Sequence, residues 1–180
     1  MEILLGLLVI VAIAVIIFYN RLVKSRNYVK DAWAGIEVQL TKRHDLVPLL
    51  VKAVKGYAAH EASLLESVTA LRTPNKQATP AKTQSAEQSF GDAFSKLIAV
   101  VESYPDLKAD QNFQQLQNEL IQVEGDIESA RRYYNGSVRE FNIMVESFPS
   151  NLIASQFKFE TAEFFELRLP SVADTPQVNL

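Results

Sequence analysis

The hydrophobic pattern changes character once, close to the start of the chain. From Ile3 to Phe18 the sequence reads ILLGLLVIVAIAVIIF, without a charged or strongly polar side chain. Beyond it, apolar positions recur three and four residues apart with polar residues between them. The first pattern is that of a helix apolar on every side. The second is that of amphipathic helices, each burying one stripe.

The rows define the expected elements. Val29, Trp33, Ile36 and Leu40 make the first. Val47, Leu50, Val54, Tyr57, Leu64, Val68 and Leu71 make the second, interrupted only by Glu61. Phe90, Phe94, Leu97, Val101 and Tyr104 form a third row, which Pro105-Asp106 ends. Phe113, Leu116, Leu120, Val123, Ile127, Ala130 and Tyr134 form a fourth, extended by Phe141, Val145 and Phe148 and closed by Pro149. Helices are therefore expected over about 21–44, 46–72, 82–104 and 110–148. Pro48 removes a backbone donor and crowds the carbonyl of His44, so a break or sharp kink is expected near Asp45, a suitable N-cap. The polar, proline-containing stretch 73–81 reads as a flexible loop. Ser150 caps a short turn, the segment holding Phe157, Phe159, Phe164 and Phe165 is irregular and partly packed, and 170–180 is a tail. The expected fold class is all-α: an antiparallel up-and-down four-helix bundle over residues 21–169, preceded by one transmembrane helix over 1–20.

The apolar run is Ile3, Leu4, Leu5, Leu7, Leu8, Val9, Ile10, Val11, Ile13, Val15, Ile16, Ile17 and Phe18, with small residues between. Sixteen helical residues cover roughly 24 Å, against about 30 Å of hydrocarbon. Tyr19 suits the headgroup level, and the stems of Lys24 and Arg26 reach back toward it. A cleaved signal would carry a basic stretch before the run and a small-x-small site after it; Met1-Glu2 and Ile16-Ile17-Phe18-Tyr19-Asn20 provide neither. A buried core helix would need an equally apolar partner, which no later segment offers. An uncleaved anchor is the expectation. Arg21, Lys24, Arg26 and Lys30 follow the run and no Lys or Arg precedes it, which predicts the N-terminus outside and the domain in the cytoplasm. The same four residues, with Tyr19, are candidates for contact with lipid headgroups.

Composition narrows the classes of function. A net charge of −3 and a pI near 5.5 argue against nucleic acid as a partner. The absence of cysteine excludes a disulfide framework, a thiol nucleophile and a Cys-ligated metal. Six glycines suit long helices better than a loop-rich fold.

Candidate chemistry is thin. A di-metal bundle site needs Glu-x-x-His pairs, yet Thr41 precedes His44 and Tyr57 precedes His60 by three. His60-Glu61 lacks the second histidine of a zinc-protease helix. No Gly-x-Ser-x-Gly or glycine-rich phosphate loop occurs. No catalytic residue, cofactor or metal is therefore expected. Glu61, on an apolar row, is expected to be buried and paired with Arg131 or Arg132, with an exposed surface position as the alternative. Trp33, Tyr57 and Tyr134 are expected in the core, and with Glu61, Arg131 and Arg132 they make up the expected structural polar network.

Two blocks carry a resemblance. Tyr19 to Glu61 reads YNRLVKSRNYVKDAWAGIEVQLTKRHDLVPLLVKAVKGYAAHE; the second block is ESYPDLKA from Glu102, EGDIESARRYYN from Glu124, and Phe148-Pro149. Over most of the domain the chain closely resembles the LemA family of bacteria. It departs at Leu49, where the family often has Asn, and in the proline-containing linker. The resemblance implies a membrane-anchored four-helix bundle, often associated with membrane proteolysis and quality-control factors, with no catalytic residues to carry over. Together these readings predict a non-enzymatic scaffold or adaptor, tethered to the inner membrane and presenting its bundle at the cytoplasmic face. Membrane lipids and other membrane or cytoplasmic proteins are the expected partners. The alternative is a self-assembling, homo-oligomeric membrane protein, and a metal-binding or enzymatic bundle is a distant third.

Overall fold

A computed structural model describes residues 1–58, 61–70 and 79–165, and among them every regular element is a helix. The helices are α1 (Glu2–Tyr57), α2 (Ala62–Ala70), α3 (Pro80–Val101), α4 (Pro105–Ala109), α5 (Gln111–Glu146) and α6 (Ser150–Gln156). His60, Leu71, Arg72, residues 73–78 and the expected tail at 170–180 lie outside the described residues. Of the expected loop, residues 80 and 81 already belong to α3, which Pro80 opens at its first position.

The apolar run and the first two amphipathic rows differ from expectation in one respect. α1 is a single helix that carries Pro48 inside it, with no end near Asp45; the interruption comes after Tyr57. An internal proline costs roughly 3 kcal/mol. Val47, Leu50 and Val54 flank it and are all but fully buried. Each such side chain contributes about 1.5–3 kcal/mol, so the row outweighs the proline.

The chain divides into two compact units. The first comprises Met1–Leu40 and Val123–Phe164. Here α5 runs antiparallel to α1. Leu22, Val29, Ala32 and Ile36 of α1 are buried, as are Val123, Ile127, Tyr134, Val138 and Phe141 of α5. After α6 the chain turns back through a left-handed Lys158, φ 55°. The Phe159 N–H donates to the Ala154 carbonyl at 2.9 Å and the Lys158 N–H to the Ser155 carbonyl at 3.3 Å. These are the two bonds of a Schellman helix end, completed by the burial of Phe159 and Ala154. The non-helical segment that follows is fixed to α5 by Asn142, whose amide donates to the Ala162 carbonyl (3.0 Å) and accepts from the Ala162 N–H (2.8 Å).

The second unit comprises the described residues of Thr41–Gln122, with Phe165. Its core joins Val47, Leu50 and Val54 of α1 to Leu65 and Val68 of α2, Phe90, Leu97 and Val101 of α3, Leu107 of α4, and Phe113 and Leu120 of α5. Within it, Arg43 (3% exposed) is bound to Glu87 at 2.6 Å and lies with its guanidinium carbon 4.0 Å from the Phe90 ring centre. Asp110 caps α5, accepting from the Phe113 N–H at 3.0 Å.

Candidate membrane-proximal site

The apolar run forms the first four turns of α1 and, among the described residues, is left largely uncovered. Ile3, Leu4, Leu8 and Ile10 are each more than 60% exposed, and none of the most apolar 18-residue stretch is buried. Burial of such a surface in lipid is what the hydrophobic effect demands. This is the one helix among the described residues long and apolar enough to cross a membrane.

Where the run ends, α1 enters an aromatic cluster. The Tyr19 ring lies 4.8 Å from that of Phe157 and 5.9 Å from that of Phe159. Phe159 also meets Phe141 edge-on at 6.5 Å, and the Arg26 guanidinium stands 4.9 Å above its centre. The Lys24 ammonium is 5.6 Å from the Tyr28 ring. A groove of about 540 Å³ opens beside this cluster, lined by Phe18, Arg21, Lys24, Ser25 and Tyr28 of α1, by Glu140, Ile143 and Met144 of α5, and by Ser147 and Ser150. Of the residues expected at the headgroups, Arg21 and Lys24 line the groove, Tyr19 and Arg26 join the cluster, and Lys30 is exposed one helical turn beyond Arg26.

The residues expected to form one polar network divide. Trp33 packs edge-on against Tyr134 at 5.3 Å and donates from Nε1 to Glu37 at 3.1 Å. Tyr134 is buried and donates its hydroxyl to the Glu163 carbonyl at 2.8 Å. Burial, with the nearby Glu163 charge, pushes its phenol above the ordinary range. Tyr57 is not a core residue: it is 44% exposed, and its hydroxyl donates to Asp110 at 3.2 Å. That bond raises the Tyr57 phenol, while the Phe113 N–H, aided by Tyr57, holds the Asp110 carboxyl below the usual carboxylate range. Glu61 is only partly buried, so the premise of a buried carboxylate fails. Arg132 is exposed and pairs with Glu128, one turn away at 3.4 Å, a contact of little energetic weight. Arg131 is partly buried.

Sequence reasoning missed three features. Arg43 stands where the row Ile36, Leu40, Val47, Leu50 needs an apolar residue, and that step was the available signal for the buried pair with Glu87. Asp110 precedes a long amphipathic row and could have been read as its cap. Asn142, which holds the returning chain, left no signal in the periodicity. Among the described residues no three His, Asp or Glu side chains converge into a set able to hold a metal ion.

A helical protein with an uncovered, membrane-length apolar helix and a basic-aromatic girdle beneath it is a membrane-associated helical protein. The LemA family model matches residues 32–180, and the chain belongs to the LemA family. It is similar to the magnetosome protein MamQ 2 of Paramagnetospirillum magneticum, 25% identical over a gapped alignment of 208 positions that covers 97% of this chain and 76% of that protein. Magnetosome protein MamQ of Magnetospirillum gryphiswaldense is 25% identical over 89% of this chain and 68% of its own length. Protein LemA of Metamycoplasma hominis is 24% identical over 82% of this chain and 68% of its own length.

Proposed function

We propose that this protein is a single-pass tether of the inner membrane that presents a non-enzymatic, antiparallel helical bundle to other proteins at the cytoplasmic face. The observation that carries the reading is the continuity of α1. One helix holds both the uncovered apolar run and the first face of the packed domain, so the domain is fixed at the surface of whatever bilayer takes up the run. Orientation is supported by Arg21, Lys24, Arg26 and Lys30, all within about 20 residues of the span and all on the domain side. The non-enzymatic part rests on the sequence, which lacks cysteine and any nucleophile motif. Scaffolding is the role left to a domain whose informative property is its place.

Affinity capture of the tagged full chain from detergent-solubilised membranes tests the proposal. Reproducible recovery of the same membrane or cytoplasmic proteins supports it. Recovery of further copies of the chain alone favours a self-assembling protein instead. Recovery of nothing contradicts both.

A further inference from the structure

The two long helices of the first unit bring an unexpected surface to the end of the anchor. Trp33 meets Tyr134. Because α1 and α5 are antiparallel, stepping about 21 Å back along α1 to Tyr19 runs alongside the about 18 Å forward along α5 to its end at Glu146, two residues before Phe148. Phe148, which the periodicity assigns to the core, is 79% exposed. Leu152 on α6 is 60% exposed and Phe157 is 50% exposed, the latter ring against ring with Tyr19. Ser150 and Ala154 are the buried face of α6, so Leu152 projects from the opposite face. Three large apolar side chains within ten residues thus stand exposed, and one of them, Phe157, meets the first residue after the apolar run.

We infer that the turn from Phe148 to Phe157, with α6 at its centre, is a second membrane-contacting element that seats in the headgroup region beside the anchor. The inference rests on the tethering reading above, because that reading fixes where the bilayer ends. Two further observations favour a lipid surface as the occupant. The patch is continuous with the lipid-exposed run through the Tyr19–Phe157 contact. Arg21 and Lys24 also line the groove that Ser147 and Ser150 border, and Lys158 follows Phe157; all three are exposed and complementary to anionic headgroups. Aromatic rings and basic stems at one level are the pairing that interfaces select. Two attachment points on one packed unit would hold the long axes of α1 and α5 at a fixed angle to the membrane, whereas an anchor followed by a flexible linker would not.

The chain has no cysteine, so single labels can be placed in the full-length protein. Leu152→Cys, Ala34→Cys and Ile10→Cys, each carrying an environment-sensitive fluorophore, are reconstituted in phosphatidylglycerol-containing vesicles. Lipids spin-labelled in the headgroup or in the acyl chain serve as quenchers, and iodide as the aqueous quencher. Position 34 is exposed and lies about 24 Å along α1 from Phe18, outside any lipid layer. The inference predicts that the label at 152 loses most of its emission to headgroup-labelled lipid and resists iodide, while that at 34 does the reverse. If 10 is quenched by acyl-labelled lipid but 152 behaves like 34, the tether stands and the second contact is overturned. If 152 resists iodide only at high protein density, the patch joins copies of the chain and the inference is equally overturned. Failure of 10 itself to be quenched removes the tethering reading.

Discussion

Tyr19 and Phe157 lie ring to ring, 4.8 Å apart, although one belongs to the end of the apolar run and the other to the turn after α6. The relationship ties the exit point of the anchor to the packed domain. Beside it lies Phe159, the buried ring 5.9 Å from Tyr19, which also receives Phe141 and Arg26.

Phe159 should therefore dominate the local energetics. Phe159→Ala is expected to destabilise the protein in mild detergent by about 3–5 kcal/mol, the range for a buried Phe. Phe157→Ala, at a half-exposed ring, should cost about 1 kcal/mol or less. Chemical denaturation followed by the single tryptophan, Trp33, reads both, since Trp33 packs in the same unit.

Lys158 occupies a left-handed position that glycine takes without strain. Lys158→Gly should leave stability unchanged or raise it by up to about 1 kcal/mol. Lys158→Val should lower it, since a β-branched residue fits this backbone poorly. Thermal unfolding of the pair of variants distinguishes a helix-end effect from a loss of charge.

The Arg43–Glu87 pair should behave as a buried pair does. Removing one partner, as in Glu87→Leu, leaves a charge without its counterion and should cost about 3–5 kcal/mol. The double change Arg43→Met with Glu87→Leu should recover most of that loss. A double-mutant cycle in denaturant measures the coupling; additive losses would show that the contact is not a unit.

Asp110 gives the fold an acid-sensitive point. Its carboxyl is held below its unfolded value by the Phe113 N–H, with the Tyr57 hydroxyl and the Asn112 N–H adding to it. A lowered carboxyl contributes stability above the unfolded pKa, and that contribution is lost as pH falls through the folded one. Asp110→Asn should therefore unfold at a lower temperature than the parent at neutral pH, and the gap should close on acidification below the ordinary carboxylate range. A gap that persists unchanged at low pH would assign the effect to hydrogen bonding alone.

What the sequence disclosed follows from periodicity. The apolar run, the helical rows and the packing of Trp33 and Tyr134 all express a repeat of three to four residues, so they can be read without coordinates. Three kinds of feature do not express it. Pro48 reads as a break or a sharp kink, and the helix continues through it because the row on either side outweighs the lost bond. Phe148 keeps the phase of α5 but lies past its end, where the helical repeat no longer governs exposure. Tyr57 also keeps the phase, yet it sits at the last turn of α1, where its hydroxyl reaches the cap of α5. For Tyr57 the deciding contact comes from a segment distant in sequence.

The proposed placement puts the domain on the cytoplasmic side of the membrane, held by residues 3–18. Ala34→Cys in the otherwise cysteine-free chain tests it directly, at an exposed site on α1. In spheroplasts, a membrane-impermeant maleimide should leave position 34 unlabelled until the cells are lysed, and label it fully afterwards, with the protein remaining in the alkali-washed membrane fraction. Labelling in intact spheroplasts, or release of the protein by the wash, would contradict the account.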